Sequence, residues 1–219
     1  MNMLKRIAQG VVGGLLLWAG AAHAIQIDST HGTAVFDNIT TTGMTITLTN
    51  KFDPVNAIVK ELDGLLFNLS TTPSNMHVTL VSAAGQVDCS SGTCVTPNPL
   101  GTSPFGWQTG PYNGQIGLLA SGNGGFGSFH PWAIVNDSIT VDDGVANGQH
   151  NPLLLGPVTF TLTWDALGSV PTLTGDVTFL FGTTPVTETG TPVPEPATLV
   201  LLGSGMAAAG AWGRRKRGR

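Results

Sequence analysis

Apolar and polar positions alternate with period two through much of the chain between residues 25 and 190. In residues 43–50, Met44, Ile46 and Leu48 interleave with Thr45, Thr47 and Thr49. In residues 156–164, Val158, Phe160, Leu162 and Trp164 interleave with Thr159, Thr161 and Thr163. In residues 175–182, Val177, Phe179 and Phe181 fall on one side. Successive side chains of a strand point to opposite faces, so each segment predicts a strand with one apolar face and one threonine-rich face. Residues 65–69 and 76–81 add two more strands, and residues 33–39, 133–135 and 138–141 are weaker candidates. Helix-favouring Lys, Glu and Arg are scarce across this stretch. The pattern predicts an all-β ectodomain over residues 25–190, an antiparallel β-sandwich of jelly-roll type, with one face of each sheet in a core and one in water.

The two ends break the alternation. Near the N-terminus, Lys5 and Arg6 precede an apolar stretch over residues 7–20, and Ala22-His23-Ala24 follows with the small-x-small pattern that signal peptidase reads. Residues 1–24 are thus expected to be a signal peptide, with Ala22 and Ala24 marking the cleavage site and Ile25 the first mature residue. Near the C-terminus, residues 197–212 are a continuous run of apolar and small residues. As a helix such a run spans about 24 Å, against a bilayer core of about 30 Å, so it predicts one short transmembrane helix. Gly203 with Ala207, and Gly205 with Ala209, have the small-xxx-small spacing that lets helices approach closely in lipid. Arg214, Arg215, Lys216, Arg217 and Arg219 follow at once, a basic block that holds the terminus on the cytoplasmic side.

Charge sharpens this topology. Of nine Lys and Arg, two lie in the signal peptide and five after the apolar run, leaving only Lys51 and Lys60 between. Against twelve acids these two give the ectodomain a formal net charge of −10. An acidic domain without a basic patch gives nucleic acid nothing to bind.

Between ectodomain and apolar run stands Val193-Pro194-Glu195-Pro196-Ala197. This box, the helix behind it and the basic end together resemble the PEP-CTERM sorting tail of Gram-negative bacteria that make exopolysaccharide. The resemblance covers residues 191–219, with the motif at 193–197, the helix at 197–212 and the basic end at 214–219, and does not reach the ectodomain. It implies that Val193, Pro194, Glu195 and Pro196 are read by exosortase, a membrane-embedded enzyme that removes the tail. The precursor would sit in the inner membrane with a periplasmic ectodomain, and the product would pass to the cell surface or extracellular matrix.

Within the ectodomain, Cys89 and Cys94 are the only cysteines, and an exported pair so close predicts a disulfide across a turn. Residues 97–131 are rich in proline and glycine and carry several aromatics, with Trp132 just after. Two readings of Trp107, Tyr112 and Trp132 stand: they pin this loop to the sandwich, or they offer flat rings to sugars. His31, His77, His130 and His150 show no metal-ligand spacing. Asp142-Asp143-Gly144 reads as a solvated turn or a calcium half-site. Asp165 and Asp176 would make a glycosidase pair only if the fold joined them. Asn38, Asn68 and Asn136 head Asn-x-Ser/Thr triplets, near chance in so threonine-rich a chain. No nucleophile elbow, zinc helix or phosphate loop is present.

These readings lead to an exported, non-enzymatic protein with no cofactor, structural or adhesive within an exopolysaccharide layer. The alternatives are a carbohydrate-binding module built on the aromatic loop and, further off, a secreted hydrolase.

Overall fold

The computed structural model describes residues 24–95, 106–121, 126–129, 131–141 and 144–193. Eleven strands form in chain order: β1 (Ile25–Asp28), β2 (Gly32–Asp37), β3 (Gly43–Asn50), β4 (Leu62–Leu69), β5 (His77–Val87), β6 (Trp107–Tyr112), β7 (Gln115–Ala120), β8 (Ile134–Val135), β9 (Leu153–Thr163), β10 (Leu173–Phe181) and β11 (Val186–Pro192). The sole helical element among the described residues is a 3-10 turn, Ile58–Lys60. The expected signal peptide, up to His23, and the tail from Pro194, with its expected transmembrane helix, lie outside the described residues. Among the described residues no helix is long and apolar enough to cross a membrane.

The all-β prediction holds, but the strands do not separate into the two sheets of a sandwich. Hydrogen bonds join all eleven into one sheet that curls on itself. Its long path runs β6-β7-β4-β10-β11-β1-β2-β3-β9-β5. The two-residue β8 bridges β4 at Leu62 and, in parallel, β9 at Leu154 and Leu155. That bridge closes an eight-strand ring, β4-β10-β11-β1-β2-β3-β9-β8. Closure pairs edges that would otherwise be open to association.

Register explains the faces. Phe36 pairs with Ile46, and Ile46 with Phe160, so one row of apolar side chains crosses β2, β3 and β9. All three are fully buried, as are Leu48, Phe67 and Phe179. Each such side chain contributes about 1.5–3 kcal/mol by leaving water. One residue along, Val35 pairs with Thr47 and Thr47 with Thr159 on the outer face, where the two threonine hydroxyls lie 2.9 Å apart. The alternation seen in the sequence is thus the inside and outside of a barrel. Gly190 lets β11 pass close over the core: a Cβ there would meet Ile27 at 2.4 Å and Phe179 at 2.8 Å.

Outside the ring a second cluster gathers Val55, Val87, Cys89, Ala133, Val135, Val145 and Leu153. Residues 138–141, a weak strand candidate, form no strand: Ile139 and Val141 pack on this cluster from a loop, and Thr140 donates its amide to the Val55 carbonyl.

Candidate functional site

The ends of the domain meet. Ile27 pairs with Pro192 and Asp28 with Thr191, so the second half of β1 and the end of β11 lie side by side. The sheet runs two residues past Gly190, and the Val193 amide donates to the Gln26 carbonyl at 2.9 Å. Pro194 is the next residue, so no flexible spacer separates the sheet from the Pro-Glu-Pro box. His31 ties the neighbouring β1–β2 turn to β11. Its Nδ1 lies 2.5 Å from Glu188 Oε1, its amide donates to Oε2 at 3.0 Å, and its ring stacks on Phe52. Burial raises the Glu188 pKa, but hydrogen bonds from His31 and Ser29 outweigh it and hold the carboxyl below its ordinary value.

Cys89 and Cys94 form the expected disulfide. It closes a turn flanked by a bridge between Asp88 and Val95. Cys89 is buried in the second cluster, and its amide donates to Asn151 Oδ1 at 2.8 Å.

The aromatic platform is not there as a unit. Trp107 and Tyr112 stand five positions apart on β6, an odd spacing that sends them to opposite faces. Trp107 is 5% exposed, packs on Phe160 inside the barrel, and donates its indole N–H to the Trp132 carbonyl at 2.8 Å. Trp107 is therefore corrected from candidate sugar platform to core. Trp132 is half-buried against the same core. Tyr112 is half-buried outside, edge-on to Phe126 and Phe129 above Leu66, Leu119 and Leu180. An open cleft of about 290 Å³ lies nearby, lined by Asn68, Leu69, Pro73, Met76, Pro111 and Gln115 among others.

Of the remaining candidates, Asp165 pins a turn, accepting from Ser74 and Asn75. His77 is exposed and His150 is buried. His130, Asp142 and Asp143 lie outside the described residues. Among the described residues no group of three or more His, Cys, Asp or Glu converges as for a metal.

Sequence reasoning missed one pair. Glu61 caps the 3-10 turn, its amide donating to the Ile58 carbonyl, and Asp63 follows in β4. Leu180 pairs with Gly64 while the next residue, Phe181, pairs with Leu62, which makes Asp63 the extra residue of a bulge. Asp63 is fully buried and Glu61 is 1% exposed. Neither Asp63 oxygen has a hydrogen-bond partner, nor has Glu61 Oε1. Burial pushes the Glu61 carboxyl up to about 8. Burial, with the Glu61 charge added, pushes Asp63 well above the carboxylate range. The Gly182 backbone amide offsets part of this rise, with its N–H directed at the Glu61 carbonyl 2.9 Å away. The signal was an acid inside the apolar run Leu62-Asp63-Gly64-Leu65-Leu66-Phe67.

Residues 192–217 match the family model of the PEP-CTERM protein-sorting motif. No curated protein and no solved structure matches the chain significantly. The chain thus carries a PEP-CTERM tail, and with it the route of an exported, membrane-anchored precursor that exosortase processes.

Proposed function

We propose that this protein is a non-catalytic structural or adhesive component of an extracellular polysaccharide layer, delivered there as a closed β-barrel by its sorting tail. The observation that carries the reading is the sorting motif at residues 192–217. Its matched segment begins on Pro192, the last residue of β11. Signal peptidase removes residues 1–24, and the helix at 197–212 anchors the precursor in the inner membrane. Exosortase reads Val193, Pro194, Glu195 and Pro196 and frees the barrel to the cell surface. The exopolysaccharide meets a barrel wall rich in threonine hydroxyls, such as Thr47 and Thr159, on a domain of net charge −10. Such a surface suits hydrogen bonding to a neutral glycan better than ion pairing to an acidic one.

Fractionation of producing cells tests this. Wild-type protein should be recovered with the extracellular polysaccharide and co-sediment with it after purification. Recovery only in the membrane fraction, or no co-sedimentation, would overturn the structural role. The carbohydrate-module alternative retains Tyr112 and the adjoining cleft but not Trp107, and binding on a glycan array that Tyr112→Ala abolishes would favour it. Turnover of a labelled polysaccharide would revive a hydrolase.

A further inference from the structure

The carboxyls of Glu61 and Asp63 have no part in sorting, and Glu61 Oε1 and both Asp63 oxygens have no hydrogen-bond partner. The domain holds only two side chains of fixed positive charge, and neither serves them. Lys60 is the chain neighbour of Glu61, yet its ammonium turns to Asn56 Oδ1 at 2.5 Å and the Pro54 carbonyl at 3.4 Å. Lys51 reaches the Ser29 carbonyl at 2.7 Å and Asp28 at 3.8 Å. The buried amide of Asn50 is committed to the carbonyls of Lys60 and Ile134. Three carboxylate oxygens, Glu61 Oε1 and both of Asp63, are left buried as bare acceptors. Buried acceptors are satisfied in nearly all folded proteins, by protein, water or an ion.

The backbone holds this pair in place. The bulge in β4 sets Asp63 apart from the regular ladder. Gly182, at φ 74°, lets the end of β10 press on the 3-10 turn, where a Cβ would lie 2.8 Å from Val59 Cα. The same glycine donates its amide to the Glu61 carbonyl.

We propose that Glu61 and Asp63 form the anionic part of a binding site for a hard divalent cation, calcium, which locks the corner between the 3-10 turn, β4 and β10. The unpartnered donor set is oxygen alone, which selects a hard cation over zinc or copper. A divalent ion neutralises both carboxylates and occupies several bare oxygens together. One shared proton would give the pair a single hydrogen bond. The proposal does not rest on the sorting reading and would hold wherever the barrel is delivered.

The test uses the full chain purified in detergent, stripped with chelator, then dialysed against calcium chloride at neutral pH. The expected results are one calcium per chain by elemental mass spectrometry and a melting temperature raised by about 5–10 °C at a concentration 100-fold above the dissociation constant. Glu61→Gln and Asp63→Asn keep the side-chain shape and remove the buried charge. Each should fold, melt above the stripped wild type, and lose the calcium response. A stripped wild type that binds no calcium and does not shift would overturn the proposal and leave protons holding the pair. Calcium binding that survives in the Glu61→Gln, Asp63→Asn double variant would also overturn it, by placing the ion elsewhere.

Discussion

Replacing Trp107 by alanine separates a ring that holds the barrel together from one that meets a ligand. The ring lies inside the closed sheet against Phe160, and its N–H satisfies the carbonyl of Trp132. Truncation removes the packing and leaves a cavity, which for a large buried aromatic costs about 3–5 kcal/mol. In a domain of this size each kcal/mol moves the melting temperature by about 2–4 °C, so the expected fall is about 6–20 °C. Trp107→Phe restores most of the volume but not the donor, and should recover all but about 1 kcal/mol of the loss. Tyr112→Ala, on the outer face, should cost no more than about 2 kcal/mol. Scanning calorimetry of the three variants gives the ranking directly. A Trp107→Ala variant that melts within 2 °C (about 1 kcal/mol or less) of wild type would refute the burial argument and restore the ring as a surface feature.

Other outcomes follow from the same structure. Replacing Cys89 and Cys94 together by serine should lower stability by about 2 kcal/mol, the loop-closure value for so short a loop, and denaturant titration should still show one cooperative transition. Glu188 has a depressed folded pKa, so it adds stability above the ordinary carboxylate range and loses it as pH falls through the folded value. Glu188→Gln should therefore flatten the decline in melting temperature between about pH 5 and pH 3; an unchanged acid limb would contradict the His31–Glu188 link. Gly190→Val should prevent β11 from seating over Ile27 and Phe179, and limited proteolysis should then cut near the tail in the variant but not in wild type.

The regular strands were legible because their two faces meet different media. β3 occupies the same residues that alternation marked, and β9 and β10 cover all but the last residue of each alternating stretch. β9 also extends back through Leu153, Leu154 and Leu155, where Leu153 and Leu154 are both buried and alternation vanishes. The hairpin of β6 and β7 was hidden by Pro111 and the surrounding glycines. Its signal was Asn113-Gly114, which take positive φ of 49° and 81° in the two-residue turn. Closure was not legible at all, since it depends on β8, two residues long, and on pairs far apart in sequence such as β10 with β4. Asp63 escaped because the apolar run around it was read from Leu65 onward. The tail was the most legible part, because its chemistry is local and ordered along the chain.

The central claim is that this barrel is exported and released through its tail, and the mass of the mature protein tests it most directly. Intact-mass analysis of the surface-exposed protein should give a chain that begins at Ile25 and lacks residues 197–219, while Glu195→Ala should remain in the membrane with its full tail. A surface-exposed wild-type chain that still carries residues 197–219, or a Glu195→Ala variant processed like wild type, would contradict the account.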